Sequence, residues 1–235
     1  YDMLARLCAD GVIFSGNSRV AAFLASRAYE LDKKCGGTLF YYYLTGYFFP
    51  RVYPYAKYCL EQSGLTKEDY EQVGIEFPDY WDEIEAIKPR YPKFDLTLYR
   101  CKNAKNPEQL RMEGIELMQG DEADKAKGAA KIELAAKCGY CLAMVSAYKY
   151  KIDDYEYHLK RGAIECGHIR CIEFLAMLNQ EKIRSYYKDN PYLQEAVKLW
   201  DLRKKLHGHI GMGYTVSKYY KTFKEKYDAM IEANK

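Results

Sequence analysis

The stretch Ala123-Asp-Lys-Ala126-Lys-Gly-Ala-Ala130-Lys-Ile-Glu-Leu134-Ala-Ala-Lys-Cys138-Gly139 decides the fold. Ala123, Ala126, Ala130, Leu134 and Cys138 recur every three or four residues, the apolar stripe of an amphipathic helix. Gly139 then stops it, as a glycine in the left-handed cap position does. The closing phrase is said three times. Lys34-Cys35-Gly36-Gly37 and Glu165-Cys166-Gly167-His168 also end helix-like stretches, and Cys138 and Cys166 are 28 residues apart. Self-similarity at a period of about 20–50 residues marks a protein built of stacked units. It directs the functional expectation away from a single pocket and toward an extended binding surface.

Working outward, Ala21, Leu24, Ala28, Leu31 and Cys35 form a similar stripe, with Gly36 and Gly37 read as its stop. A helix is expected over about 38–48, with Leu39, Tyr43 and Gly46 on one face. Another follows over 54–63, with Tyr55 and Cys59, ended by Gly64; Gly37 to Gly64 is 27 residues. In the second half, Leu110 to Met118 reads as a helix ended by Gly120, and Cys141, Val145 and Tyr148 lie on a short helix. Asp153 and Asp154 are N-cap candidates for the stripe Tyr155, Leu159, Ala163 and Cys166, and Cys171, Leu175 and Leu178 continue beyond Gly167. A short helix and a longer one cannot each bury a stripe alone, so the pairs must stack, and small Ala side chains let them approach closely.

The stretch 65–107 breaks this scheme. Thr66-Lys67-Glu68-Asp69 has the form of a capping box. A helix is expected over about 79–87, Pro89 and Pro92 interrupt it, and Phe94–Cys101 is ambiguous between helix and strand. The organisation read is therefore 1–64 N-terminal helical repeats, 65–107 a helical insert or degenerate repeats, 108–180 clear repeats, and 181–235 a C-terminal helical cap. That cap comprises a helix from about Pro191 to Leu206, a glycine-rich turn from His207 to Gly213, and a last helix from about Thr215 to Glu232. A terminal helix with a polar outer face suits the end of a stack.

The segment from Ala126 to Gly139 resembles the second helix and closing turn of the Sel-like repeat family, a tetratricopeptide relative. Ala135-Ala136-x-x-Gly139 matches its small-small-x-x-glycine closure, and Ala163-x-x-x-Gly167-His168 matches it again with the family's common Gly-His. The resemblance covers about 108–180 and extends to 19–64. It is absent over 65–107 and after 190. The period is shorter than the family's, and the loop glycine before each second helix is mostly missing. The resemblance implies an all-α protein, an α-solenoid of antiparallel helical hairpins, acting as an adaptor for other proteins. It implies no catalytic residues.

Composition sets looser bounds. The chain has 235 residues and a net charge of +3, which does not demand an anionic partner. Acids outnumber bases eight to two over 66–88, and bases outnumber acids twelve to six over 182–235, an asymmetry suited to orienting a partner, though solvated helix faces explain it more simply. Tyrosine occurs 25 times, a residue that packs like an apolar one while keeping a polar tip, at home on half-buried faces and interfaces. The eight cysteines are read as reduced, since disulfide frameworks belong to short chains without a core. No run of about 18 apolar residues exists to span a membrane. The sequence opens on Tyr1, which leaves room for a removed leader or upstream domain. The compartment stays open between the cytoplasm, which reduced thiols favour, and a secreted or periplasmic setting.

Candidate chemistry is sparse. Cys138-Gly139-Tyr140-Cys141 has the C-x-x-C form, but thiol redox work needs the first cysteine at a helix N-terminus beside a βαβ unit. Here Cys138 ends one helix and Cys141 opens the next. Cys138, Cys141, Cys166, His168 and Cys171 contain ligand types for zinc, yet the pairs sit a repeat apart. His207-Gly208-His209 lacks the lysine and strand of a phosphate loop. Lys218-Tyr219-Tyr220-Lys221-Thr222-Phe223-Lys224 interleaves bases with aromatics, as single-stranded nucleic acid binders do, but Tyr219, Phe223 and Tyr227 also make a simple amphipathic stripe. The sequence thus points to a non-enzymatic protein-interaction scaffold with no cofactor, no metal and a protein or peptide partner. Tyr42, Tyr43, Tyr47, Tyr148 and Tyr150 are its surface candidates, and Gly37, Gly64, Gly139 and Gly167 its structural turns. Nucleic-acid binding by the C-terminal helix and thiol redox chemistry at Cys138 and Cys141 are the alternatives, and oligomeric state is open.

Overall fold

A computed structural model describes residues 2–9, 18–46, 49–90, 107–208 and 214–233. Among these residues every regular element is helical: α1 (Asp2–Ala9), α2 (Ser18–Leu31), α3 (Gly36–Thr45), α4 (Tyr53–Ser63), α5 (Lys67–Glu71), α6 (Pro107–Leu117), α7 (Glu122–Lys137), α8 (Cys141–Lys149), α9 (Tyr155–Ile164), α10 (Ile169–Lys182), α11 (Pro191–His207) and α12 (Tyr214–Ala233). Two 3-10 turns, Lys33–Cys35 and Trp81–Glu83, complete the order. The all-α expectation holds. No helix of the described residues is long and apolar enough to cross a membrane.

Most helices pack on the next in the chain: α1 on α2, α2 on α3, α3 on α4, then each of α6 to α10 on its successor. Helices two apart also touch, α6 with α8, α8 with α10 and α10 with α12, and α4 makes a much longer-range contact with α11. One core runs through both halves, from Tyr29, Leu39 and Phe40 to Ile172, Leu193 and Leu199. A smaller cluster of Ile132, Ala147 and Ile152 sits beside it.

Three of the four expected turns are left-handed glycines. Gly64 caps α4 at φ 75°, and Gly139 and Gly167 have φ 85° and 63°. After α7, Gly139 N–H donates to the Ala136 carbonyl (2.8 Å) and Tyr140 N–H to that of Ala135 (3.2 Å), the paired bonds of a Schellman motif. Gly37 is different. The α2 helix ends at Leu31, Asp32 caps the following 3-10 turn by accepting from Lys34 N–H (3.0 Å), and Gly36 and Gly37 open α3 instead of closing a helix. Gly36 has an ordinary φ of −61°. It is glycine because an added Cβ would stand 2.5 Å from the Cys59 carbonyl oxygen on α4.

Close helix approach through glycine recurs in the other hairpins. A Cβ on Gly114 of α6 would lie 2.9 Å from the Gly128 carbonyl oxygen of α7. One on Gly162 of α9 would fall on the Cys171 thiol of α10 and 3.1 Å from Met144 Sδ of α8. These are backbone and core atoms with little room to give. Gly162→Ala is therefore expected to cost about 1–3 kcal/mol of overpacking, despite the better helix propensity of Ala. A urea midpoint equal to or above that of the unsubstituted chain would show that the crossing relaxes freely.

Residues 65–90 depart from the expected helical insert. The capping box is present: Asp69 N–H donates to Thr66 Oγ1 (3.3 Å) and Thr66 N–H to the Asp69 carboxylate (2.8 Å). Beyond α5, however, 75–90 is irregular apart from the turn at Trp81–Glu83, and no helix forms over 79–87. Pro89 disfavours helical backbone at Lys88, and Ile87 N–H is spent on the Pro54 carbonyl of α4 (3.0 Å). The ambiguous stretch Phe94–Cys101 lies outside the described residues.

Candidate functional site

The turn from α8 to α9 carries the most distinctive backbone. Lys151 and Asp154 have φ of 52° and 57°, the positive-φ non-glycine residues of the described chain. Left-handed backbone costs a side-chain-bearing residue roughly 1–2 kcal/mol, and such strain concentrates at functional sites. The surroundings hold it in place. Ile152 is buried against Ile132 and Ala147, and its N–H donates to the Ala147 carbonyl (3.0 Å). Asp154 precedes α9 as expected, but its carboxylate makes no cap bond.

This turn folds Lys151 back over two rings. Its Nζ lies 4.2 Å from the Tyr148 ring centre and 4.8 Å from that of Tyr155. The two rings meet edge to face at 5.8 Å, so the ammonium occupies the corner between them. On α10, Phe174 stacks against Tyr148 at 4.8 Å. All three residues are half-buried. The Glu156–Lys182 ion pair ties α9 to α10 alongside. Burial, then Glu181, Tyr219 and Tyr155, raise the Tyr148 hydroxyl above the usual phenol range. Tyr219 of α12 donates to Glu181 (3.4 Å), which brings the terminal helix to the edge of the patch.

Of the expected surface tyrosines, Tyr148 is central here. Tyr150 packs instead on the small Ile132–Ala147–Ile152 cluster. Tyr42 and Tyr43 are 3% and 1% exposed, so the surface role expected for them is wrong. The helix that carries them is buried nearly all round, and Tyr43 stacks on Phe49 (4.7 Å) and meets Tyr55 edge-on (5.4 Å). Tyr47 lies outside the described residues. Sequence reasoning missed Lys151, Tyr155 and Phe174. The first two stand three and seven residues after Tyr148, a spacing that a turn makes useful, whereas nothing in the sequence links Phe174 to them.

The other constellations resolve simply. Cys138, Cys141, Cys166 and Cys171 are buried thiols, and burial pushes the Cys171 thiol well up. Among the described residues no three His, Cys, Asp or Glu side chains are grouped to hold a metal ion. On α12, Phe223 is buried with Tyr219 and Tyr227 half-buried beside it, and Lys221 and Lys224 pair with Glu225 and Asp228 on the same helix.

A second polar centre joins the Gly167 turn to the end of α11. Glu173 and Arg203, both fully buried, pair at 3.0 Å. Arg203 also donates to the Gly208 carbonyl, and Arg170 reaches Glu173 from the surface at 3.1 Å. His207 Nε2 donates to the Gly167 carbonyl (2.7 Å). Burial holds both His168 and His207 down to about 4, with His207 and Arg170 adding to the effect on His168. The geometry of these groups is that of a clamp between α10 and α11. Comparison of the chain with protein-family models, characterised proteins and solved structures finds no match.

Proposed function

We propose that this chain is a protein-interaction scaffold, a Sel-like or tetratricopeptide-like α-solenoid whose partner docks on the Tyr148–Tyr155–Phe174 patch. The succession of hairpins from α6 to α11, each packed on the next, supports the repeat reading. The observation that carries the binding site is the left-handed backbone at Lys151, which holds a cation in the corner of two half-buried tyrosines. Aromatic rings presented this way are rigid anchors of the kind that dominate binding energy at interfaces. The fitting partner is a peptide or protein segment with an aromatic or long aliphatic side chain next to an acidic one. The first packs on the ring edges and the second pairs with Lys151.

Affinity capture with the full chain tests this. Tyr148→Ala and Lys151→Glu are each expected to reduce the captured partner by about tenfold or more, the loss typical of an interface hot spot. Tyr157→Ala, on an exposed ring of α9 outside the patch, is expected to leave it. Undiminished capture by both patch variants, with their melting temperatures preserved, would remove the assignment.

A further inference from the structure

Residues 75–90 lie across the α3–α4 hairpin in the manner of a bound peptide. Phe77 and Trp81, four residues apart, set their rings against Phe40 of α3 at 5.7 and 6.1 Å and against each other at 4.9 Å. Tyr70 closes the site at 4.4 Å from Phe40. Trp81 is 3% exposed, an anchor seated in a pocket that the helices supply. The backbone is held at few points. Lys57 Nζ of α4 donates to the carbonyls of Trp81 (3.2 Å) and Asp82 (3.0 Å), and Ile87 N–H donates to Pro54 (3.0 Å). The outward edge carries Glu76, Asp79, Asp82 and Glu83, all exposed and without ion pairs among the described residues.

We infer that the Phe40 face of α3–α4 is a peptide-binding groove filled in cis by residues 75–90. Its ligand in trans is an extended peptide of a partner protein with two aromatic anchors four residues apart, as Phe77 and Trp81 stand in the strap. The strap shows the matching chemistry: two rings for the apolar slot, and two carbonyls for a lysine ammonium that reads backbone rather than sequence. A tether gives the strap an effective concentration of roughly millimolar, so a weak free peptide loses to it. A partner gains access only when it binds better than the strap or when the strap opens locally, as segments with few buried contacts do. This groove is distinct from the Tyr148 patch, and the two stand or fall separately.

The test uses the full chain and a fluorescein-labelled peptide of residues 74–88. The unsubstituted chain is expected to show no saturation up to roughly 100 μM peptide, because the strap occupies the groove. Trp81→Ala vacates the slot and is expected to bind the peptide at least about tenfold more tightly, and adding Phe40→Ala is expected to abolish that gain. A Trp81→Ala chain that stays folded by circular dichroism yet binds no peptide overturns the inference. Should Trp81→Ala melt below the assay temperature, Lys57→Ala is read in its place. Proteolytic nicking within 75–90 that is about tenfold faster, with the remainder of the chain intact, supports a detachable strap. Unchanged nicking overturns it.

Discussion

Replacing Arg203 by Ala is expected to cost about 3–5 kcal/mol, a large share of the roughly 5–15 kcal/mol that holds a domain folded. The reason lies less in the attraction lost than in the charge left behind. Glu173 is completely buried, and without Arg203 its remaining ion-pair partner is Arg170, a side chain half in solvent. The Gly208 carbonyl loses a donor at the same time. Removing both charges is another matter. Glu173→Met with Arg203→Met fills a similar volume with apolar atoms, and replacing a buried pair in this way is often neutral or better. The double variant is therefore expected to recover most of the loss. Equilibrium urea unfolding of the two single variants and the double variant closes the cycle. A single-variant cost below about 1 kcal/mol, or a double variant whose cost equals the sum of the singles, would refute the clamp.

Acid is expected to loosen the same region. His168 and His207 titrate near 4 in the folded chain, held down first by burial, against about 6.5 for an unfolded histidine. Below pH 6.5 the unfolded chain therefore takes up protons that the folded chain refuses. Stability is flat above that point and falls as the pH drops from about 6.5 to about 4, by up to roughly 1.4 kcal/mol per pH unit for each histidine. For His168, almost wholly enclosed, the accumulated loss is about 3 kcal/mol at pH 4. The interval from 6.5 to 5 is diagnostic, because carboxylates have not begun to protonate appreciably there. His168→Leu removes one titration, and the buried Nδ1 it deletes has no hydrogen-bond partner. A shallower pH slope is expected for it, and a urea midpoint of the parent chain that does not move over this interval would contradict the assignment.

Some of this was legible in the chain and some was not, for identifiable reasons. The presence of the helices and the stops at Gly64, Gly139 and Gly167 follow from local chemistry, since periodicity and the tolerance of glycine for positive φ act over a few residues. The face was read wrongly in α7: Ala123, Ala126 and Ala130 are exposed, and Gly128, Ile132, Ala135 and Ala136 are buried instead, because the glycine and alanines are where α6 and α8 approach. Gly36 and Gly37 carry the same Cys-Gly phrase, yet Gly36 serves a tertiary need: the absence of a Cβ beneath the Cys59 carbonyl. A glycine that bends a chain and a glycine that admits a neighbour look identical in sequence. Tyr42 and Tyr43 were misplaced for a related reason. Tyrosine suits both core and surface, and only the tertiary packing of Tyr42 on Phe49 and of Tyr43 on Phe49 and Tyr55 decides which. Half of the Tyr148 patch was visible as a tyrosine near a helix end. The stacking Phe174 came from a helix whose position depends on everything between.

Packing between consecutive helices has a kinetic meaning. Contacts between neighbours in sequence close short loops, and chains rich in them fold quickly. The joining of α4 to α11 is the outlier, since Tyr55 and Leu206 both stand at the Gly167 turn. Its loop can be closed only after much of the chain between has ordered, and the entropy of that closure is recovered late. The hairpins of the second half are therefore expected to gain amide protection first in pulse-labelled refolding, with α4 protected in a later phase. On this expectation the two halves meet as preformed pieces, with the rate of that meeting, not of helix formation, setting when the chain becomes whole.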